Sequence, residues 1–334
     1  MTAPAKHVWI ALLTVWIVWG STYLGIKVVV DTVPPLLAGG TRFLAAGAIL
    51  AAILALRGTS LRVTRRELVG SAAAGLLLLT FGVGLVHVAE TRIDSSVAAM
   101  IAGTVPLQII LMRLAAGQDV ARATRLSTLT GLVGLGLVVA PGLGAGSTAI
   151  GLAVMLAASI SWSTGSFLSG RLGMPHDPFV ATVYEMLAGG AFLAVCALAL
   201  GEGGQLDAAA FAADSVAAWV YLVIVGSLVG FTAYAWLLRV APISLVVTHQ
   251  YVNPLVAIVL GVVLLAERPS PLTFVGAVLI IGAVYAAIRA ETGSGVARST
   301  AENVQPATGD VQHLTPEPRP ATVAQPGTPA DQTV

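Results

Sequence analysis

The sequence predicts an all-α membrane protein of ten transmembrane helices arranged as two inverted five-helix repeats, and three observations carry that expectation. The first is composition. Of 334 residues, 57% are hydrophobic, mean hydropathy is +0.90, and only 17 basic and 16 acidic side chains occur. A soluble chain would carry about 25% charge. Seven of these charges (Glu291, Arg298, Glu302, Asp310, Glu317, Arg319 and Asp331) fall in the last 44 residues, leaving 26 for residues 1–290. The second is the length of the apolar runs. A span needs roughly 20 apolar residues, so about ten of them would fill most of residues 1–290 and leave no room for a sizeable soluble domain. Runs of this length without period-2 alternation must be helices, because only a helix satisfies its own backbone in lipid. The third is the sorting of Lys and Arg between alternate loops.

Cutting at charges and at Pro and Gly clusters gives five spans near 8–27, 36–56, 68–89, 95–113 and 125–140. Five more follow near 149–170, 178–200, 216–238, 244–265 and 272–289. The first run follows Lys6 but is long, contains Trp16 and Trp19, and lacks a small-residue cleavage site, so it reads as a retained span. With a cytoplasmic N-terminus, the inside receives Lys6, Arg57, Arg62, Arg65, Arg66, Arg113, Arg122, Arg125, Arg171, Arg239, Arg289, Arg298 and Arg319. The outside receives Lys27, Arg92 and Arg268, and Arg42 lies within a span. That asymmetry puts both termini in the cytoplasm. From Glu291 onward the chain is rich in Pro, Thr, Ala, Gln and Gly, a composition that cannot offset its ordering entropy, so 291–334 reads as a disordered cytoplasmic tail.

The halves, 1–143 and 148–290, match in order. Trp19-Gly20-Ser21-Thr22 aligns with Trp162-Ser163-Thr164-Gly165 at an offset of 143, which also aligns Arg42 with Glu185. At an offset of 148, Gly82 meets Gly230, Ser96 meets Ser244, Pro106-Leu107 meets Pro254-Leu255 and Asp119 meets Glu267. Five spans per unit is an odd number, so the second unit enters with opposite polarity. Such a repeat places a site near the midplane, between the halves. Arg42 and Glu185 then stand toward opposite faces, and each needs a local partner. For Arg42 the candidates are Asp31, Glu90, Asp94 and Glu267; for Glu185 they are Arg171 and Arg239.

Candidate lining residues come from interrupted or polar positions. Pro106 and Pro254 lie mid-span, where each removes a helix hydrogen bond and frees a carbonyl near Thr104, Gln108, Gln250 and Asn253. The bland reading is a packing kink with amides bonded to neighbouring helices. Trp16 and Trp19 are too deep for an interfacial belt. With Thr22, and opposite Trp162, Ser163 and Ser166, they suit an aromatic cavity wall or a helix contact. His87 and Glu90 share a face at i, i+3, as a relay, a gate or a solvated edge cluster; His249 stands four residues before Asn253. Arg42, His87, Glu90, Glu185 and His249 are the coupling or gating candidates, with a proton as the coupling ion.

The quoted segments resemble the EamA type of the drug/metabolite transporter superfamily. Trp19-Gly20-Ser21-Thr22-Tyr23-Leu24-Gly25-Ile26-Lys27 is similar to its first-helix signature, and Pro34-Pro35 with Ala38-Gly39 and Arg42-Phe43 to its second-helix opening. Ala89-Glu90, Ser95-Ser96-Val97-Ala98-Ala99 and Thr104-Val105-Pro106-Leu107 are similar to its third-to-fourth helix segment. Trp162-Ser163-Thr164-Gly165-Ser166, and Asn253-Pro254-Leu255 with Glu267, look like the repeated versions. The Ala-Glu before the fourth span resembles the inner-membrane exporter branch called YedA-like. The resemblance covers 8–289. It implies a central cavity lined by the first, third, fourth, sixth, eighth and ninth helices, and export of small metabolites or drugs by alternating access. The small multidrug relatives use a first-helix Glu, and none occurs between Val8 and Ile26 here.

The expected function is therefore an inner-membrane exporter of amino-acid-like or drug-like solutes, with an uncharged cavity lining suited to neutral or zwitterionic ones. An importer or uniporter of the same fold, and a non-transporting scaffold or sensor, are the alternatives. Neither a GxSG nor an HExxH pattern occurs, so no enzyme is expected. Net charge +1 gives no basic patch for nucleic acid, and a lone Cys196 gives neither a disulfide nor a thiolate metal site. No metal or cofactor is expected.

Overall fold

The computed structural model describes residues 5–93, 95–139, 148–205, 211–265 and 271–304. It divides into two units after Gly293, and the first holds the helical body; the described residues of the second, 294–304, are helical. The part of the expected tail (291–334) from 305 onward, the inter-repeat residues 143–147 and the charged residues Asp94, Glu267 and Arg268 lie outside the described residues.

The described residues form helices joined by turns and short loops, with no strand among them. In order they form α1 (Ala5–Val30), α2 (Pro35–Leu56), α3 (Arg65–Gly75) and α4 (Leu85–Glu90), with a π-helical stretch Leu76–Gly84 joining the last two. Then come α5 (Ser95–Ala102), α6 (Val105–Ala115), α7 (Arg122–Val139), α8 (Ala149–Leu168) and α9 (Pro178–Ala199). After a 3₁₀ turn at Glu202–Gln205, α10 (Ala213–Tyr221) and α11 (Thr232–Val240) are joined by a second π-helical stretch, Leu222–Phe231. The chain continues through α12 (Ile243–Val246), α13 (His249–Leu265) and α14 (Pro271–Val304). Among the described residues, six helical runs are long and apolar enough to cross a membrane: Ala5–Val30, Pro35–Leu56, Arg65–Glu90, Ala149–Leu168, Pro178–Ala199 and Ala213–Val240.

Three expectations change in detail. The fourth expected span is two helices, broken at Gly103-Thr104, and the ninth breaks between α12 and α13 at Val247-Thr248. The last helix, expected to stop near 289, runs to Val304 because no proline occurs between Pro271 and Pro306 to end it sooner.

α1 shows how an apolar helix chooses its inner face. Leu12, Val15, Trp19, Thr22, Ile26 and Val29, at alternating three- and four-residue steps, are buried, whereas Leu13, Ile17 and Leu24 are exposed. Large exposed apolar side chains recur on α9 (Phe192, Val195) and α14 (Phe274, Val278, Ile281), as lipid-facing surfaces require.

α2 and α9 are both 22 residues long, their limits lie 143 residues apart, and each is followed by a glycine at positive φ, Gly58 (74°) and Gly201 (82°). Each glycine closes a helix C-terminus in the left-handed region that costs it nothing. The two helices run antiparallel. A methyl at Gly40 would sit 2.9 Å from the Ala194 nitrogen, one at Gly47 3.1 Å from Leu187, and Leu50 and Leu54 cluster with Val180 and Val183. Partner numbers fall as α2 advances, and the missing side chains let the backbones touch.

Four of the bases mark two groups of loop contacts. At one, Gly173 packs on Arg66 and Arg239 donates to the His176 carbonyl (3.0 Å). At the other, Lys27 Nζ donates to the Glu90 carbonyl (2.9 Å) and the Thr148 amide to the Arg92 carbonyl (3.2 Å).

α3 begins with a capping box, Thr64 and Glu67 exchanging side-chain and backbone bonds, a T-x-x-E signal present in the sequence. The α2 N-terminus is capped from afar: buried Glu202 accepts the amides of Leu36 (3.2 Å) and Leu37 (2.9 Å). Pro34 offers no side-chain cap of its own. A carboxylate there also meets the positive end of the helix dipole. Glu202→Ala should cost about 1–3 kcal/mol and lower the unfolding temperature of the detergent-purified protein, with Glu202→Gln intermediate. Equal unfolding temperatures for all three proteins would refute the cap.

Candidate functional site

The sequence pairs Trp19 with Trp162 and Gly82 with Gly230, and the fold brings all four together across the halves. The indoles meet edge to face, centroids 5.2 Å apart at 80°. A methyl on Gly230 would lie 2.6 Å from Trp19 Nε1, and one on Gly82 3.1 Å from the Trp162 ring. Each tryptophan therefore rests on the π-helical stretch of the other half. Trp19 Nε1–H donates to the Gly226 carbonyl within that stretch at 3.1 Å. Widened turns of this kind recur at functional positions.

Tyr234 and His249 complete a stack, 4.8 Å and 5.0 Å from Trp19, with Phe231 at 6.4 Å from both indoles. Ser166 Oγ and the Tyr234 hydroxyl share a 2.6 Å hydrogen bond. On one side of this layer is a cavity lined by Trp19, Thr22, Arg42, Ser159, Trp162, Ser227, His249, Gln250 and Asn253 among apolar side chains. On the other is a larger, open cleft whose walls include Glu185, Tyr234 and Arg239. Phe231 borders both spaces.

Of the residues singled out from sequence, Trp19, Thr22, Trp162, Gln250, Asn253, Arg42 and His249 border the cavity. Gln108, Thr104 and Ser163 do not. Gln108 Nε2 donates to Thr104 Oγ1 (2.8 Å) and Ser159 Oγ (3.0 Å), and its Oε1 accepts from Ser163 Oγ (2.7 Å). The amide thus ties α6 to α8. Trp16 packs among apolar residues, its Nε1 without a partner. Pro106 is the second residue of α6, directly after the break, while the helix continues unbroken through position 254. Both breaks share one device: Thr104 and Thr248 each turn Oγ1 back to the carbonyl three residues earlier at 2.6 Å.

The charged residues depart from expectation. Arg42 lies in the cavity wall, correcting the uncharged lining read from sequence, because two turns into α2 its long side chain reaches across to the eighth expected span. None of the acids in the described residues pairs with it. Nε donates to Ser227 Oγ at 2.6 Å, Nη1 has no partner, Asp31 is exposed, and both oxygens of buried Glu90 are without hydrogen-bond partners. Glu185 likewise lacks an ion pair at Oε2. Arg239 is engaged with a backbone carbonyl and Arg171 stacks on Phe167 (4.3 Å). His87 is fully buried, Nδ1–H donating to the Val83 carbonyl at 2.9 Å. No group of three or more His, Cys, Asp or Glu side chains able to hold a metal occurs among the described residues.

Sequence reasoning missed Ser227, Phe231 and Tyr234. They sit at i, i+4 and i+7 around Gly230, so the aligned glycine marked their helix face.

The model of the EamA-like transporter family matches twice, over residues 7–140 and 149–289. The chain is 36% identical over 275 residues to the uncharacterized inner membrane transporter YedA of Escherichia coli K12, covering 82% of this chain and 88% of that protein. It is 23% identical over 280 residues to the uncharacterized transporter YvbV of Bacillus subtilis 168, covering 83% and 90%. A solved structure described as "Crystal structure of protein" superposes with a TM-score of 0.68 at 23% identity, covering 87% of this chain and 99% of the other. With a family match to most of its length, the chain belongs to the EamA-like transporters of the drug/metabolite transporter superfamily, membrane transporters rather than enzymes.

Proposed function

We propose that this protein is an inner-membrane exporter of small metabolites or drug-like solutes, working by alternating access with both termini in the cytoplasm. The carrying observation is the cavity between the halves, closed from the cleft by rings contributed by both: Trp19 from the first, and Trp162, Phe231, Tyr234 and His249 from the second. The repeated α2 and α9, antiparallel and 143 residues apart, and the π-helical stretch in each half support ten spans in two inverted repeats. In this reading the cleft, at the end carrying Arg66 and Arg239, faces the cytoplasm, and rocking of the halves opens the cavity alternately to each side. Buried Glu90 and Glu185 are the carboxylates assigned to proton coupling.

The test uses full-length protein in sealed liposomes. Solute exchange should be saturable and driven by a pH gradient, the drive being lost in Glu90→Gln or Glu185→Gln. In a Cys196→Ala background, Ser159→Cys should react with membrane-impermeant thiol reagents from either side, and solute should slow the labelling. Labelling from neither side, with no exchange of any solute, would make the protein a scaffold; gradient-driven uptake alone would make it an importer.

A further inference from the structure

Arg42 is 3% exposed, on the cavity wall, and has no acidic partner among the described residues. Its contacts are a neutral hydroxyl, Ser227 Oγ at 2.6 Å, and the Phe43 ring at 5.1 Å. A methyl on Gly226 would lie 2.9 Å from Nη2, so that stretch of backbone holds the guanidinium in place. Nη1 is left over. The guanidinium stays charged at neutral pH, and a buried charge without a counter-charge is costly in protein and more so in a bilayer. No acid among the described residues offsets that cost. On the same cavity wall, Gln250 Oε1 and Asn253 Oδ1 are buried acceptors without donors. The rest of the lining is mainly aromatic or aliphatic, including Trp19, Phe43, Val83, Val86 and Met155, with Thr22, Ser159 and His249 as further polar positions.

We propose that Arg42 anchors a carboxylate of the transported solute, while Gln250 and Asn253 receive its hydrogen-bond donors and the rings enclose an apolar or aromatic body. This rests on the cavity being the solute site proposed above. A planar guanidinium matches a carboxylate or a phosphate two bonds at a time. One cation in a wall whose other polar groups are uncharged amides and hydroxyls and one imidazole balances a single negative charge, and a more highly charged phosphate would leave charge unpaired and desolvated. The solute class is thus a monocarboxylate with an apolar body, with or without an amino group.

Full-length protein in detergent would be titrated with four probes sharing one ring: 3-phenylpropionate, L-phenylalanine, L-phenylalaninamide and phenyl phosphate. Binding would be followed by tryptophan fluorescence and thermal shift. The two carboxylates should bind at least about tenfold tighter than the amide. Arg42→Gln should abolish that preference, and Arg42→Lys should keep part of it. An amide as tight as the acids, a preference that survives Arg42→Gln, or no saturable binding of either acid overturns the anchor. Phenyl phosphate binding tighter than 3-phenylpropionate overturns the carboxylate assignment. If Arg42→Gln is not monodisperse, Ser227→Ala serves: it should weaken the acids severalfold and spare the amide, and equal weakening of all probes counts against the anchor. Exchange in liposomes separates the two readings. Acid-selective binding without exchange sinks the transporter and keeps the anchor, and exchange without acid preference does the reverse.

Discussion

Alanine at Gly75 should cost about 3 kcal/mol or more, at the upper end of overpacking effects, and sharply reduce the yield of folded protein. Gly75 ends α3, and a methyl there would collide with the carbonyl of Glu185 on α9. In return, a methyl on Gly189 would sit 2.8 Å from the Gly75 carbonyl, so the two backbones are in direct contact. α9 cannot step away, because its other face is held by α2, where a methyl on Gly190 would sit 2.9 Å from the Leu44 nitrogen. Gly136 on α7 is the control. Nothing lies within 4 Å of a methyl there, and alanine should be neutral or gain up to about 1 kcal/mol from helix propensity. Unfolding temperatures and gel-filtration profiles of the two variants decide the matter; equal behaviour would mean that the α3–α9 contact is loose.

Trp19→Ala should lower exchange at least about tenfold and open the cavity to the cleft. The indole touches Trp162, Tyr234, Phe231 and His249 and donates to Gly226. Each aromatic pair contributes about 0.5–1.5 kcal/mol beyond burial, and truncating a buried Trp costs about 3–5 kcal/mol. With the layer breached, Ser159→Cys should label faster from the cleft side. Trp19→Phe keeps a ring but loses the bond to Gly226, so its flux should fall between the two. Gly230→Ala, pressing a methyl on Trp19 Nε1, should disturb the same layer from beneath. Unchanged flux and unchanged labelling in Trp19→Ala would remove the aromatic layer from the mechanism.

Much of this was legible in the sequence. The all-helical membrane class followed from apolar run length, the pairing of Trp19 with Trp162 from an offset of 143, and the glycines beneath them from an offset of 148. Arg42 and Glu185 were read as counterparts too far apart to pair, and antiparallel α2 and α9 bring neither to the other as a partner. Of the residues picked from sequence, Trp19, Trp162, Gln250 and Asn253 border the cavity in the structure, whereas the amide of Gln108 is consumed by Thr104, Ser159 and Ser163. Ser227 and Phe231 in the cavity wall, and Tyr234 on its cleft side, carried no polar run to mark them.

What the sequence determined by itself are properties that accumulate along the chain: hydropathy, the sorting of bases between alternate loops, and the spacing of repeated motifs. The tertiary structure alone decided that Arg42 turns into the cavity, that Glu202 caps a helix more than 160 residues away, and that five rings from both halves close one layer. The reason is the solvent. In water, an apolar stripe tells which face of a helix turns inward; in lipid both faces are apolar, so rotation and crossing are set by close contacts at small residues and by a few hydrogen bonds. Gly40 against Ala194 and Gly230 against Trp19 fix those contacts, and they exist only once the helices have met.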